Sequence, residues 1–388
     1  MNDQKKIAII VAANIYEQKG LFLAVHNRCR HLKRIANYEI DVFLLSSYKD
    51  YIVSKILREE TYKRPKSYIK DEIRYIILWR RNSVIDYILY HKLHQREFFH
   101  YIYNKNILHL FQNYDLLDVH SGCGEIALDF KKKFGKPYVI TWHGSDIHTE
   151  PFQNNTIFSK TKEIIENADC NFFVSSALLY LSDKITTKGA KQVLYNGKAK
   201  EFIVYDYSKR ESLIKKLNSQ KKKIIAFVGN LVPIKNIKDL PGIFHIIYKN
   251  IPNAEFWIIG DGPLKKKLYE DTILLPIKFW GNIDSKRMPD MMNCIDLVVV
   301  PSINEALSLV AIEALGCGCN VVGSNVGGIP EVIGINNVFN LDENFIENIS
   351  GRAIEMLNKD IKQELDSKFN WNASAIFEKR IIDYILNC

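Results

Sequence analysis

Short runs of β-branched and apolar residues recur along this sequence, and a segment with helical spacing follows each of them. Continuous apolar strands that alternate with helices are typical of parallel sheets covered on both faces. The runs are too many for one sheet, so the sequence predicts an α/β protein with two Rossmann-like domains facing across a cleft. The runs form a first set at 6–13, 40–46, 116–121, 137–142, 171–175 and 192–195, and a second set at 223–229, 254–260, 277–281, 296–300 and 319–323.

The chain length of 388 residues also exceeds what one ordinary hydrophobic core supports. We therefore expect an N-terminal domain over 1–198 and a C-terminal domain over 199–368. The polar and basic stretch 198–223 is interpreted as the linker region between them. The tail 369–388 is predicted to be a helix whose apolar residues share one face and could pack on either domain.

Charge and cysteine content narrow the class of partner and the compartment. The formal net charge is +9, with 53 Lys and Arg against 44 Asp and Glu, so an anionic partner is expected. Nucleotide phosphate, nucleic acid and anionic lipid all fit this charge. Seven scattered cysteines in a large chain indicate reduced thiols and a cytoplasmic location. Cys317 and Cys319 lack a second Cys/His pair for zinc, and they are better explained as small residues closing a tight loop.

No uncharged run approaches the ~20 residues of a spanning helix, so no membrane span is expected. The N-terminal sequence MNDQKKIAIIVAAN has too short an apolar part for a span and lacks a small-residue cleavage site. It is interpreted as a first buried strand.

One segment, residues 48–112, does not follow the alternation of strands and helices. It contains 13 Lys or Arg, 7 Asp or Glu and 13 aromatic residues. The part from Arg74 to Tyr103 has helical spacing with basic edges. Two interpretations stay open: a helical insert packed on the first sheet, or a face that rests on anionic lipid headgroups.

Two glutamates stand out in the stretch PSINEALSLVAIEALGCG, residues 301–318. Glu305 follows a predicted strand and a short loop, and a helix is expected to begin near Leu307. Glu313 lies inside that apolar helix, where a carboxylate costs free energy unless a partner compensates it. Either both carboxylates accept hydrogen bonds from a polyhydroxylated ligand, or Glu305 only favours the helix dipole and Glu313 is solvated.

The start of this helix is a candidate anion site. The backbone N–H groups of Ser308, Leu309 and Val310 have no partner within a helix that starts there, and they can hold a diphosphate. The stretch FVGNLVPIKN, residues 227–236, ends a strand with Gly229 and places Lys235 after a loop. Glycine lets the backbone approach a ligand, and the lysine can reach phosphate oxygens.

The stretch WHGSDIH, residues 142–148, ends a strand of the first domain. His143, Asp146 and His148 could bind a metal ion, or one histidine could line the cleft at the carboxyl end of the strand.

Together these motifs resemble the retaining glycosyltransferases of family 4, which have the two-domain GT-B fold. The resemblance covers nearly the whole chain and is strongest over 223–335. Its most specific part is the spaced glutamate pair followed by VVGSNVGGIPEVI; GNLVPIKN, GDGP, LYNG and WHGSD occur in the family's order. The chain is similar to enzymes of bacterial capsule, teichuronic acid and lipopolysaccharide assembly.

The resemblance implies a role for each matching residue of the C-terminal domain. Glu305 contacts the hydroxyls of the donor sugar, and Glu313 binds the nucleotide ribose. Lys235 and the amides of 308–310 hold the diphosphate, within a donor site that also includes Gly229 and Asn230. Asn282 lies beside the base.

In the N-terminal domain, the resemblance implies that His143 faces the donor sugar and acts with Glu305 as a catalytic residue. Gly20, which opens the first helix, lets the backbone approach the reacting centre. The tail helix is implied to cross back onto this domain.

Three positions depart from the family pattern. Asn230 stands where the family commonly has arginine, so one phosphate charge loses a partner. Ala306 and Ser308 replace glycines that often follow the first glutamate, and Asn320 replaces a proline. The sequence contains no Asp-x-Asp, so neither a metal ion nor another cofactor is expected, and Lys235 with the helix start would replace a bridging cation.

The resemblance implies transfer of a sugar, with retained configuration, from a nucleotide-sugar such as a UDP-sugar to a hydroxyl of a glycan or lipid-linked saccharide. Nucleic acid is not expected as a partner, and an anionic membrane surface on the cytoplasmic side stays open as one. Two alternatives stay open: a sugar-nucleotide epimerase of similar fold, and an inactive partner subunit that only binds a sugar-nucleotide.

Overall fold

The computed structural model describes residues 4–14, 20–47, 65–80, 84–91 and 98–388. They form two compact units, residues 1–196 with 371–388 and residues 197–370. Each unit is built on one sheet flanked by helices. The predicted fold class, α/β with two parallel-sheet domains, is confirmed.

The first unit contains an eight-stranded sheet. Its strands are β1 (Lys5–Ala12), β2 (Tyr38–Ser47), β3 (Ser67–Lys70), β4 (Ile73–Arg80), β5 (Leu116–His120), β6 (Tyr138–Trp142), β7 (Cys170–Phe173) and β8 (Lys191–Val193). Their order across the sheet is β3-β4-β2-β1-β5-β6-β7-β8, and only β3 pairs antiparallel with its neighbour among these strands.

Helices occur along most of the sequence of the first unit. They are α1 (Leu21–Ile35), α2 (Val84–His91), α3 (Phe98–Ile107), α4 (Gly124–Phe134), α5 (Ser145–His148), α6 (Asn155–Asn167) and α7 (Ser176–Ser182), with 3₁₀ turns at Leu108–Phe111 and Glu150–Phe152. The C-terminal helix, numbered α15 (Trp371–Asn387) in chain order, also belongs to this unit.

The second unit contains a six-stranded sheet of parallel strands in the order β11-β10-β9-β12-β13-β14. These strands are β9 (Lys223–Val228), β10 (Ala254–Ile259), β11 (Ile277–Gly281), β12 (Leu297–Val300), β13 (Asn320–Ser324) and β14 (Val338–Phe339). Its helices are α8 (Tyr207–Lys216), α9 (Leu240–Asn250), α10 (Lys265–Asp271), α11 (Met288–Cys294), α12 (Leu309–Gly316), α13 (Ile329–Ile333) and α14 (Phe345–Lys359), with 3₁₀ turns at Pro233–Lys235, Ile237–Asp239 and Ile335–Asn337.

The central strands are buried on both faces, which explains why they read as unbroken apolar runs. Strands β5, β6, β10 and β12 are buried along their whole length. Each sheet builds a core with its helices, and α1 and α15 complete the core of the first unit beside β1 and β2. Because these neighbouring strands pair in parallel, their carboxyl ends lie at one edge of each sheet, where the loops follow.

The prediction of a helical insert over 48–112 is wrong for residues 73–80. These residues form β4, which pairs in parallel with β2. Their side chains alternate between buried and more exposed positions over Ile73–Ile77, which is the period of a strand. Residues 48–64, 81–83 and 92–97 of this segment lie outside the described residues.

The interpretation of 198–223 as a linker is also wrong. Residues 197–370 form one unit, and Tyr207–Lys216 within this stretch is helix α8. Arg210 of α8 bonds the carbonyl of Asn293 and pairs with Asp296 at 2.8 Å, just before β12. A polar and basic composition therefore reflects a solvated helix that is attached through its arginine.

The tail helix α15 packs against α1 of the first unit. Four of its buried residues are spaced three or four apart, namely Trp371, Ala375, Glu378 and Ile382, and Ser374 is buried beside Ala375. Ile376, which the sequence pattern put on the apolar face, is 37% exposed. In the part of the chain that the structure describes, no helix has both the length and the apolarity to cross a membrane.

Candidate functional site

The loops that follow β9 and β12 meet at the carboxyl edge of the second sheet because these two strands are neighbours. The backbone N–H of Ile303 donates to the carbonyl of Ile234 at 2.8 Å. This bond brings Lys235, at the end of one loop, to the carboxylate of Glu305 in the other, where Lys235 Nζ donates to Glu305 Oε2. The side chains stay 28% and 17% exposed. Lys235, the predicted phosphate-binding residue, and Glu305, the predicted sugar-binding residue, thus neutralise each other's charge in the structure.

Glu305 is held by its backbone as well as by its side chain. Ser302 Oγ donates to Glu305 Oε2 at 3.2 Å, and the N–H of Gly328 donates to the carbonyl of Glu305 at 3.0 Å. A Cβ at Gly327, whose φ is +52°, would lie 1.7 Å from that same carbonyl oxygen. Gly327 is therefore required to let the loop after β13 close on the glutamate.

Helix α12 starts at Leu309, later than the predicted start near Leu307, because Ser308 caps it. The side chain of Ser308 accepts from the N–H of Ala311 at 3.3 Å, and Ser308 is itself buried. A capping hydroxyl satisfies one first-turn donor and leaves the N–H groups of Leu309 and Val310 without a partner inside the helix. Both residues are half-buried. The helix start can therefore hold an anion, as the sequence predicts.

Glu313 lies in the second turn of α12 and is half-buried. No described residue gives its carboxyl group a hydrogen bond or an ion pair. Burial raises the pKa of Glu313 to about 8. Ionising this carboxyl group is therefore costly, and its capacity to form hydrogen bonds is unused. Both properties are expected of a group that binds a ligand.

Gly229 and Asn230 follow β9, and Asn282 follows β11. Gly229 is fitted against the loop after β10, since a Cβ at Gly260 would lie 2.0 Å from the carbonyl oxygen of Gly229. Asn230 and Asn282 are exposed. Asn282 stands two strands from β9, or about 10 Å at the usual strand spacing. All the predicted donor residues of this unit thus lie at one edge of the sheet.

Asn320, which replaces the family's proline, has a structural role. Its side-chain amide donates to the carbonyl of Ile361 at 2.5 Å, and its Oδ1 accepts from the N–H of Gln363 at 3.1 Å. The replacement therefore fastens the segment after α14 to β13, away from the glutamates.

In the first unit, His143 follows β6 and is half-buried. Its Nε2 lies 3.0 Å from Nδ1 of His120, the last residue of β5, so one imidazole donates to the other. Burial, with a smaller effect from the Arg28 guanidinium, lowers the pKa of His143 to about 3. His143 is therefore a neutral hydrogen-bonding group at physiological pH.

The alternative metal interpretation of His143, Asp146 and His148 does not fit the geometry. Asp146 accepts from Ser121 Oγ at 2.5 Å and from the N–H of Gly144 at 2.7 Å, so its carboxylate shapes the turn. Within the described residues, no three His, Cys, Asp or Glu side chains come together as a metal site requires.

Gly20 precedes α1 and is exposed, with φ +49° and nothing within 4 Å of an added Cβ. Its positive φ explains the glycine. The predicted approach of its backbone to a ligand stays a prediction.

Sequence reasoning missed His120, Ser302 and the contact of Gly327 with Glu305. The position of His120 at the end of an apolar run, one strand before His143, could have indicated it, because adjacent strand ends meet at one edge.

Comparison with known proteins agrees with this architecture. Residues 209–375 match the family model of the glycosyl transferases group 1. An uncharacterized glycosyltransferase of Methanocaldococcus jannaschii is 25% identical over 88% of this chain and 97% of its own length. A putative teichuronic acid biosynthesis glycosyltransferase of Bacillus subtilis is 28% identical over 51% of this chain, and the match spans about half, 49%, of that protein.

Among solved structures, the Anabaena protein HepE in complex with UDP-glucose superposes with a TM-score of 0.69 at 16% identity. The superposition covers 99% of this chain and all of that one. The two parallel-sheet units define the GT-B class of fold. The resemblance drawn from the sequence is supported: residues 209–375 match the glycosyl transferases group 1, and the relatives matched over 88% and 51% of the chain are named glycosyltransferases.

Proposed function

We propose that this protein transfers a sugar from a UDP-sugar to a hydroxyl of a glycan or lipid-linked saccharide, with retained configuration and without a metal ion. The observation that carries the donor site is Glu313, a half-buried carboxyl group with no partner among the described residues, one turn beyond open helix amides. A ribose hydroxyl would supply the missing hydrogen bond. The match to HepE, whose structure holds UDP-glucose, supports the choice of nucleotide.

The ion pair between Lys235 and Glu305 suggests how donor binding prepares the site. A diphosphate at the start of α12 offers Lys235 a stronger, doubly charged partner than one carboxylate. Lys235 then turns to the phosphate, and Glu305 is released towards the sugar hydroxyls while Ser302 and Gly328 hold its position. The exchange of Glu305 for phosphate as the partner of Lys235 thus couples phosphate binding to sugar binding.

The diphosphate charge is balanced here by one lysine and a helix dipole, since Asn230 offers no charge. Preorganised N–H donors and a cation can stabilise the leaving diphosphate as the bond to the anomeric carbon breaks. The acceptor hydroxyl attacks on the same face that the diphosphate leaves, so configuration is retained. Glu305 positions the sugar in this scheme, and neutral His143 hydrogen-bonds a sugar hydroxyl.

The resemblance to a teichuronic acid enzyme supports an acceptor in bacterial cell-surface polysaccharide synthesis, such as a capsule. The chain would act in the cytoplasm, with the basic segment 48–112 against the inner face of the membrane. The net charge of +9 supports an anionic surface as partner.

The test is incubation of the full chain with a panel of nucleotide-sugars, with and without lipid-linked saccharides. Slow release of free UDP from one donor, accelerated by an acceptor, is expected. An intact nucleotide carrying an isomerised sugar would instead identify an epimerase, and binding without turnover would identify a non-catalytic subunit. Product anomeric configuration, read by NMR, decides retention; an inverted product overturns that part of the proposal.

A further inference from the structure

A connected series of ionisable side chains lies beneath the carboxyl edge of the first sheet. Arg28 of α1, Asp118 of β5 and Glu378 of α15 are 2%, 1% and 0% exposed. Arg28 Nε lies 3.9 Å from Glu378 Oε2, and Asp118 Oδ1 lies 3.9 Å from Nε2 of His120. The series continues from His120 to His143, so it links the C-terminal helix to the candidate site.

The guanidinium of Arg28 is fixed from two further sides. It donates to Thr141 Oγ1 at 2.8 Å and to Asn196 Oδ1 at 3.2 Å. The four carboxyl oxygens of Asp118 and Glu378 make no hydrogen bond of ordinary geometry to any described residue. One buried cation therefore faces two buried acids, and ionising both acids would leave an excess negative charge without hydrogen-bond donors. Because that is costly, the pair retains one proton.

Geometry distinguishes the two acids. Of the two acids, Glu378 is the one that faces the Arg28 guanidinium, and Asp118 is the one that lies beside His120. Burial, followed by the like charge of Glu378, raises the pKa of Asp118. Burial also raises the pKa of Glu378. The Arg28 charge opposes the rise at both acids, but of the two only Glu378 lies within 4 Å of the guanidinium. Asp118 is therefore the better place for the shared proton.

We propose that Glu378 carries the negative charge and Asp118 the proton, so that the C-terminal helix supplies the counter-charge to Arg28 and the acid beside His120 stays neutral. Glu378 is then a positioning residue: it acts on the site through Asp118 and His120. The consequence for sugar transfer rests on the proposed function, whereas the placement of the charge does not.

The other titratable groups around the cluster do not offset Arg28. Burial raises the pKa of the Cys29 thiol on α1, of the Cys170 thiol on β7 to about 12, and of the Tyr38 hydroxyl on β2. Each stays neutral at physiological pH. Burial, with smaller effects from His143 and Arg28, also holds the pKa of His120 well below its usual value. Asp146 is engaged by Ser121 and Gly144, and Asp383 of α15 is engaged by Lys379 and Tyr38.

Two isosteric variants of the full chain separate the acids: Glu378→Gln and Asp118→Asn. The readout is the side-chain ¹⁵N NMR titration of the histidines. In Glu378→Gln the charge that balances Arg28 must move to Asp118, beside His120. The titration midpoints of His120 and His143 should therefore rise, since a nearby opposite charge favours the imidazolium. Asp118→Asn removes a group that is already neutral, so both midpoints should match the parent.

Unchanged midpoints in Glu378→Gln would overturn the proposal, and so would shifted midpoints or lost folding in Asp118→Asn. If Glu378→Gln fails to fold, Asp118→Asn decides alone: a folded protein with parent-like titration supports the proposal. UDP-sugar hydrolysis against pH tests the link to the site. Raised midpoints with a parent-like pH profile would leave the charge placement intact and contradict the role of His143 in the proposed function.

Discussion

Lys235 and Glu305 form an ion pair between the loops that follow two neighbouring strands of the second sheet. The pair joins a group suited to phosphate with a group suited to sugar hydroxyls, and neither group is fully buried. A ligand that carries both a diphosphate and a sugar can satisfy each of them in turn. The first predictions follow from this contact.

Changing Lys235 to Ala should weaken binding of UDP by about 1.5–3 kcal/mol, the usual worth of a charge-assisted hydrogen bond. Uridine, which has no phosphate, should bind as it does to the parent. Isothermal titration calorimetry with both ligands measures the difference. Lys238→Ala is the matched control, because this lysine lies on the same loop and is exposed. Equal losses for UDP and uridine would contradict the assignment of Lys235 to phosphate.

Changing Glu305 to Gln should reduce turnover while leaving UDP affinity nearly normal. Glutamine keeps the shape of the side chain but has no negative charge for Lys235 or the sugar hydroxyls. The variant also lacks the carboxylate that competes with phosphate for Lys235 in the unbound protein. The affinity for UDP should therefore stay level or rise. The measurement is UDP-sugar hydrolysis beside UDP calorimetry. Parent-like turnover would remove Glu305 from the mechanism.

The raised pKa of Glu313 predicts how the free energy of unfolding depends on pH. Its pKa is raised to about 8 by burial, above the ordinary value of 4.5 that the unfolded chain has. The folded state therefore holds this proton more tightly, and its stabilising contribution is complete below pH 4.5 and lost as the pH rises towards 8. Glu313→Gln should raise the free energy of unfolding at pH 8–9 relative to the parent and leave it similar near pH 5, as measured by urea denaturation.

The same residue should matter for ligand binding. Glu313→Ala should weaken UDP binding by about 1–3 kcal/mol, because a hydrogen-bond partner of the ribose is removed. A variant that binds UDP like the parent would show that the carboxyl group faces no ligand. Its raised pKa would then be a cost of packing alone.

Donor hydrolysis should persist in excess EDTA, since the sequence has no Asp-x-Asp and the phosphate charge is assigned to Lys235 and the start of α12. Hydrolysis rates before and after chelation, and after addition of Mg²⁺ or Mn²⁺, measure this. Activity that disappears with EDTA and returns with either ion would reveal a metal requirement.

The basic segment 48–112 should bind anionic liposomes and leave neutral ones unbound. Salt should release it, because the attraction is screened within about 8 Å at physiological ionic strength. Arg80→Glu with Arg81→Glu should reduce co-sedimentation and leave hydrolysis of a soluble donor intact; Arg80 ends β4, and Arg81 lies outside the described residues. Equal binding to neutral and anionic liposomes would favour the interpretation of segment 48–112 as an insert packed on the first sheet.

Much of the fold could be predicted from the sequence because buried parallel strands appear as unbroken apolar runs. All eleven predicted runs are strands in the structure. β4 was misassigned because its partly exposed side chains near the sheet edge left a mixed pattern, in which helical and strand spacing are hard to separate. β3 and β14, of four and two residues, are too short to give a periodic signal.

The candidate site also has features that the sequence predicts and features that it does not predict. The residue types, their order and their positions at strand ends follow from the sequence, because loops after parallel strands must meet at one edge of the sheet. Which side chains face each other does not follow. Lys235 and Glu305 are 70 positions apart, His120 and His143 are 23 apart, and Glu378 reaches Arg28 from the opposite end of the chain. Only the strand order and the docking of α15 on α1 decide these pairs, because side-chain contacts depend on distances in space that local sequence does not encode.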